Sequence, residues 1–308
     1  MNNLSDKRSS GQKPNQLAIT PLFPDLEPEV RRKVRLYKRI EHPIWTENKA
    51  HFIQQYLRYF VQVTKHGAYI DGFAGPQSYE HLDAWSAALV LESKPKWLRH
   101  FFLCEITRKG LKALENLVAS QQEIRDKKGR KISRKIKIFP GDFNVKVDEI
   151  LQPTNISQKE AAFCLLDQRT FECHWSTLQK LANYKTAPNN KIELLYFLGV
   201  GWLHRSLSGI RNVDKALKWW GQSNWRGLAK MKSASIAELV RQRFQDELGY
   251  NSVAAYPIFD RNEGNKIMYY MIHGSDHEEA PALMVRAHHN AVRARPPVQE
   301  YLNFPTNP

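Results

Sequence analysis

Apolar positions recur along the chain with two different periods, and the two periods alternate. Ile53, Tyr56, Leu57 and Phe60 fall at offsets of three, four and seven, which places them on one helix face. Thr46 is the expected N-cap of that helix and His66-Gly67 its expected end. Ala68-Tyr69-Ile70 then reads as a short buried strand. Trp85 to Leu91 has a helical pattern, His100 to Cys104 reads as a strand ending at Glu105, and Leu111, Leu114, Leu117 and Val118 mark the next helix. Lys135 to Phe139 alternates as a strand does, and Val147, Ile150 and Leu151 suggest a short helix. Ala161 to Leu166 and Ile192 to Leu198 are continuous apolar runs, expected of strands covered on both faces, with helical His174 to Tyr184 between them.

The last third differs in style. It holds Trp202, Trp219, Trp220 and Trp225, more readily core or interface residues than base-stacking platforms. Ser235 and Glu238 have capping-box spacing ahead of Ile236, Leu239, Val240 and Phe244, with Gly249 as the stop. Two strands near Val253 to Phe259 and Lys266 to His273, separated by residues 260–265, read as a hairpin. Strands that alternate with helices imply an α/β fold with a doubly wound, mostly parallel sheet. About seven strands are expected, with a C-terminal antiparallel hairpin and helical additions. The expected organisation is a flexible arm over 1–28, a helical segment over 29–66, and a domain over 67–308 with a helical insertion about 203–248.

Composition adds three points. Hydrophobic residues make up 42% of 308, enough for a sizeable core, and no run of eighteen apolar residues exists to span a membrane. The N-terminus carries no apolar signal segment, and three cysteines (Cys104, Cys164 and Cys173) argue for a reducing compartment, so a cytoplasmic location is expected. The net charge of +15 raises the expectation of a polyanionic partner, nucleic acid first. Residues 125–137 carry eight basic residues against one acid, and Lys127, Lys128, Arg130, Lys131 and Arg134 are candidate phosphate contacts; a solvated loop is the alternative. A second basic stretch spans Arg31 to Arg39, with the same pair of readings.

The candidate chemistry gathers at strand ends. Asp71-Gly72-Phe73-Ala74-Gly75-Pro76-Gln77 follows the first strand, and its small residues let the backbone turn sharply and approach a ligand. A helix placed after it would offer free N–H groups, and the carboxyl end of a first parallel strand is the expected ligand crevice. Glu105 ends the second strand, where an acid commonly holds the ribose hydroxyls of an adenosine-containing ligand. Asp142 and Phe143 follow the third, suited to an adenine amine and ring or else to a helix cap. Asp167 ends the fourth. Cys164, Cys173 and His174 lack a fourth zinc ligand, and His273, His277, His288 and His289 lack a metalloprotease pattern, so no metal site is expected.

These segments carry a resemblance to a known family. The blocks Tyr69 to Pro76 (YIDGFAGP), Phe101 to Glu105 (FFLCE), Ala162 to Asp167 (AFCLLD), His174 to Ala182 (HWSTLQKLA) and Ile192 to Phe197 (IELLYF) resemble the three-Cys-motif partner proteins, over about Trp45 to Met284. The resemblance implies a Rossmann-like class I methyltransferase-type fold that uses S-adenosylmethionine, and a radical-SAM-like partner with a three-cysteine motif. It implies that Asp71, Gly72, Phe73, Ala74 and Gly75 hold the methionine part of the cofactor, Glu105 the ribose, and Asp142 with Phe143 the adenine. Asp167 and Gln168 would sit beside the transferred methyl, and Arg205 matches a position where the family carries a basic residue that contacts substrate or pairs with a carboxylate. Two positions depart from the family: Gln77 stands where a glycine is usual, and Gln168-Arg169-Thr170 replaces Pro-Phe-Gly. Methyl transfer to nucleic acid or a nucleic-acid-associated substrate is the first expectation. The departures favour a second, a non-enzymatic subunit that binds nucleic acid or a partner. A third, a metal-dependent nuclease, requires Asp71, Asp142 and Asp167 to converge.

Overall fold

The helix α1 (Lys49–Thr64) forms where the apolar spacing places it, and Phe52, Ile53, Tyr56, Leu57 and Phe60 are all buried along one side. It ends when Lys65 adopts a left-handed φ of 64°, with its N–H bonded back to the Val61 carbonyl. The computed structural model of the chain describes residues 44–45, 49–77, 85–121, 124–125, 129, 131–260 and 266–293. The expected arm over 1–28, the basic stretch from Arg31, the cap at Thr46, the hairpin turn at 261–265 and Lys127, Lys128 and Arg130 lie outside the described residues.

After β1 (Ile44–Trp45) and α1 come β2 (Ala68–Asp71), α2 (Ser86–Glu92), β3 (His100–Glu105), α3 (Arg108–Ala119), the two-residue strands β4 (Ile124–Arg125) and β5 (Lys131–Ile132), and β6 (Lys135–Pro140). Then follow α4 (Phe143–Ile150), β7 (Ala162–Leu166), α5 (Trp175–Asn183) and β8 (Glu193–Gly199). Between β8 and the next strand lie α6 (Leu203–Ser208), α7 (Val213–Trp220), a 3-10 helix over Ser223–Lys230 and α8 (Ser233–Asp246). The chain then runs through β9 (Ser252–Phe259), β10 (Ile267–Ser275) and α9 (Ala280–Arg293).

Among the described residues, eight strands form one sheet in the order β1-β9-β10-β8-β7-β2-β3-β6. Parallel pairing joins β6, β3, β2, β7 and β8, and β10 is antiparallel to both β8 and β9. The fold is therefore α/β, Rossmann-like and doubly wound, with the antiparallel C-terminal hairpin that the sequence suggests. Strands β2, β7 and β8 are buried along their whole length, because helices cover both faces. Ile70 lies beside Phe102 on one neighbour and Cys164 on the other. All three cysteines are buried and free, and burial pushes the Cys104 thiol up to about 12.

One start signal reads differently in three dimensions. The helix α8 begins at Ser233 after Lys232, two residues before the capping-box serine, and no side chain caps it. Glu238 instead pairs with Arg241 at 2.8 Å, one turn on. Among the described residues, no helix is long and apolar enough to cross a membrane.

Candidate functional site

The connections from β2 run toward β3 and β6, and the later strands β7 and β8 build on the other side of β2. The reversal point lies between the carboxyl ends of β2 and β7, where an open α/β sheet binds ligands. Asp71 ends the first of these strands and Asp167 follows the second. A small cavity opens there, walled by Phe73, Ala74, Gly75 and Gln77 of the loop, by Lys49 and by Trp85.

The loop after β2 is held from every side. The Gly72 N–H donates to the Leu165 carbonyl at 3.0 Å and the Ala74 N–H to the Cys104 carbonyl at 2.8 Å. The Phe73 N–H donates to Asp71 Oδ1 at 3.1 Å and the Gly75 N–H to Glu105 Oε2 at 2.9 Å. Trp85 Nε1 donates to the Ala74 carbonyl at 2.7 Å. Four consecutive loop N–H groups are thus spent within the protein, and α2 starts only at Ser86. Residues 78–84, where a helix directly behind the loop would begin, lie outside the described residues.

The glycines are required by close packing. A Cβ on Gly72 would lie 2.9 Å from Phe143 Cδ1, and one on Gly75 would lie 2.2 Å from Glu105 Oε2. Glu105 is folded in between Gly75 and Gly110, where its other oxygen accepts from the N–H and hydroxyl of Thr107, both at 2.7 Å. Beside it Ile106 is 66% exposed, an apolar surface at the rim that its sequence context did not single out.

Asp71 is buried and accepts the Tyr69 hydroxyl at 2.8 Å. Burial pushes its carboxyl up to about 7, against the lowering effect of the Tyr69 and Phe73 hydrogen bonds. Asp167 has a different setting. Lys49 Nζ lies 2.7 Å from its Oδ2 and 3.0 Å from its Oδ1, and Gln77 Nε2 donates to Oδ2 at 2.8 Å. Lys49 also reaches Gln77 Oε1 at 3.3 Å and stands 4.8 Å from the centre of the Phe197 ring. No periodicity or motif singles out Lys49, which occupies the first position of an ordinary amphipathic helix.

The other expected site residues take supporting positions. Gln168 is buried, its Oε1 accepts the N–H groups of Glu172 and Cys173 at 3.0 and 2.9 Å, and its Nε2 donates to the Phe197 carbonyl at 3.3 Å. Its carboxamide therefore holds the loop after β7 rather than offering free acceptors. Asp142 caps α4 by accepting the Asn144 N–H at 2.8 Å, the alternative its sequence position allowed. Phe143 is buried beneath Gly72 and 6.1 Å from the Phe73 ring, so it packs the loop from below. Among the described residues, no group of three or more His, Cys, Asp or Glu side chains is gathered as metal ligands. His273 instead pairs with buried Glu193 at 2.6 Å.

Of the basic residues, Arg134 is turned inward. Its guanidinium stands 4.4 Å from the Phe101 ring centre and donates to the Leu91 carbonyl at 3.0 Å, and burial lowers it to about 10. Lys131 is exposed on β5, and Arg205 is exposed on α6.

Solved structures resemble this chain at low identity. The methyltransferase domain of a bacterial Hen1 protein (CtHen1) is 14% identical, covers 73% of this chain and 99% of its own, with a TM-score of 0.39. A DUF574-family protein from Streptomyces avermitilis is 10% identical, covering 74% of this chain and 83% of its own, with a TM-score of 0.40. A DUF519-family protein from Legionella pneumophila is 9% identical, covering 79% of this chain and 91% of its own, with a TM-score of 0.43. No protein-family model and no curated protein matches the chain.

Proposed function

We propose that the crevice between β2 and β7 binds S-adenosylmethionine and that the chain is a methyltransferase acting on nucleic acid or a nucleic-acid-associated substrate. The observation that carries the reading is the set of charges at one cavity: Lys49 with Asp71 and Asp167. A zwitterionic amino-acid group needs a cation for its carboxylate and an acceptor for its ammonium; Lys49 offers the first and Asp167 the second, and Asp71 adds a charge once it loses its proton near pH 7. The lack of a Cβ at Gly72 and Gly75 keeps the loop close against Phe143 and Glu105, which fixes the cavity wall. Bound there, S-adenosylmethionine supplies an electrophilic methyl group. Lys49 and Asp167 would exchange each other for the ligand, and Gln77 would stay on Asp167 to hold its orientation. Catalysis by this chain would rest on alignment of the acceptor beside Asp167.

A second reading is favoured by the same Lys49–Asp167 pair. A lysine that neutralises the carboxylate at the transfer position suits a subunit that has given up transfer and works with a radical-SAM-like, three-cysteine-motif partner.

Calorimetry with S-adenosylmethionine decides the first step. Saturable binding by the wild type, weakened at least tenfold in Asp71→Ala and Glu105→Ala, is expected. Absence of binding by the wild type would sink the methyltransferase reading. Binding without methyl transfer to RNA, DNA or the partner supports the subunit reading instead.

A further inference from the structure

The insertion after β8 carries a charge that the crevice does not use. From Leu203 to Lys232 the chain has seven basic residues and one acid, six of its fifteen net positive charges. All seven basic side chains are exposed. Asp214 offsets one of them by pairing with Lys218 at 2.6 Å. The remaining six, Arg205, Arg211, Lys215, Arg226, Lys230 and Lys232, make no ion pair among the described residues. A surface of one sign repels itself and attracts a polyanion over several ångströms.

The segment is packed against the loop that follows Asp167. Trp219, Trp220, Trp225 and Leu228 are buried under it. Trp202 Nε1 donates to Thr170 Oγ1 at 2.9 Å, and Phe171 meets the Trp219 ring edge-on at 4.8 Å. Thr170 and Phe171 belong to the loop that follows Asp167, so cations and candidate transfer position share one framework. The buried tryptophans also argue against a lipid surface, which draws such rings outward to the headgroup level. Three of the six cations are arginines, whose planar fork matches phosphate oxygens.

We infer that the exposed cations of the 203–232 insertion form a docking surface for the phosphate backbone of a nucleic acid, which is thereby held at the Asp167 end of the crevice. The delivery role rests on the methyl-transfer reading above; the docking does not. Of the basic run recognised from sequence, Arg134 is committed internally and Lys131 is exposed, while Lys127, Lys128 and Arg130 lie outside the described residues.

Fluorescence anisotropy of a labelled single-stranded RNA and a DNA duplex of about 30 units, between about 50 and 200 mM salt, tests the docking. Affinity of the full chain should fall steeply with salt, and the Arg211→Gln/Lys215→Gln/Arg226→Gln variant should flatten the log–log slope by about 2 to 3. A second variant, Lys230→Gln/Lys232→Gln, should flatten it by about 1 to 2, which guards against a fold defect in the first. An unchanged slope in both variants overturns the inference. So does wild-type binding to phosphatidylserine vesicles without binding to either nucleic acid. S-adenosylmethionine calorimetry separates the two proposals: nucleic-acid binding that depends on these cations stands even if the cofactor does not bind.

Discussion

The ammonium of Lys49 lies 2.7 Å from Oδ2 of Asp167, although 118 residues separate them in sequence. Both side chains are largely buried, at 8% and 7% exposure. The first residue of α1 therefore reaches the carboxyl end of the sheet and neutralises the carboxylate that follows β7. A ligand that enters this crevice must offer each partner an equivalent interaction, because a buried charge left alone is costly.

Removing only one member of that pair should destabilise the fold. Lys49→Met is expected to cost about 3 kcal/mol, since it leaves Asp167 without its cation. The double variant Lys49→Met/Asp167→Asn should recover a large part of the loss. Urea unfolding of the two singles and the double measures the coupling; additive losses would mean that the pair contributes nothing. Lys49→Met should also weaken S-adenosylmethionine binding at least tenfold.

The loop glycines give a graded series. Gly75→Ala forces a methyl onto the Glu105 carboxylate and should cost about 1 to 3 kcal/mol. Gly227→Ala, whose new methyl would meet nothing within 4 Å, should change stability by less than about 0.5 kcal/mol. Thermal unfolding of both variants checks the contrast. Equal effects would show that Glu105 is free to move aside.

Asp71 predicts a pH dependence. Its carboxyl is raised from 3.8 to about 7 by burial, so the folded chain holds a proton that the unfolded chain has lost across that interval. The folded state binds more protons there, and stability falls as pH rises from about 4 to 7. The interval bounds the effect at about 4 kcal/mol. Asp71→Asn should remove this component of the slope in denaturant unfolding at several pH values, and an unchanged slope would assign it elsewhere.

Gln168 is expected to act on stability. Gln168→Leu removes the acceptor for the Glu172 and Cys173 N–H groups and should cost about 1 to 3 kcal/mol. Affinity for S-adenosylmethionine should change less than threefold at a temperature where the variant is folded. A variant of unaltered stability that loses methyl transfer would return Gln168 to the transfer site.

Local pattern marked α1 to α5, α8, the strands β2, β3, β6, β7 and β8, the closing hairpin and the position of each acidic strand end, because apolar periodicity and small-residue turns act over a few residues; β1, the β4–β5 pair and α9 went unmarked. The strands at Ala162–Leu166 and Glu193–Gly199 were legible as covered on both faces, as their burial bears out. What the carboxylates do was decided only by tertiary packing. Glu105 closes on the glycine loop because β3 lies in register beside β2, and Asp142 turns to its own helix N-terminus. Asp167 takes a lysine from a helix that enters the sheet far earlier in the chain. Hydrogen-bond and ion-pair partners are chosen by proximity in space, and proximity across 118 residues leaves no trace in a local pattern.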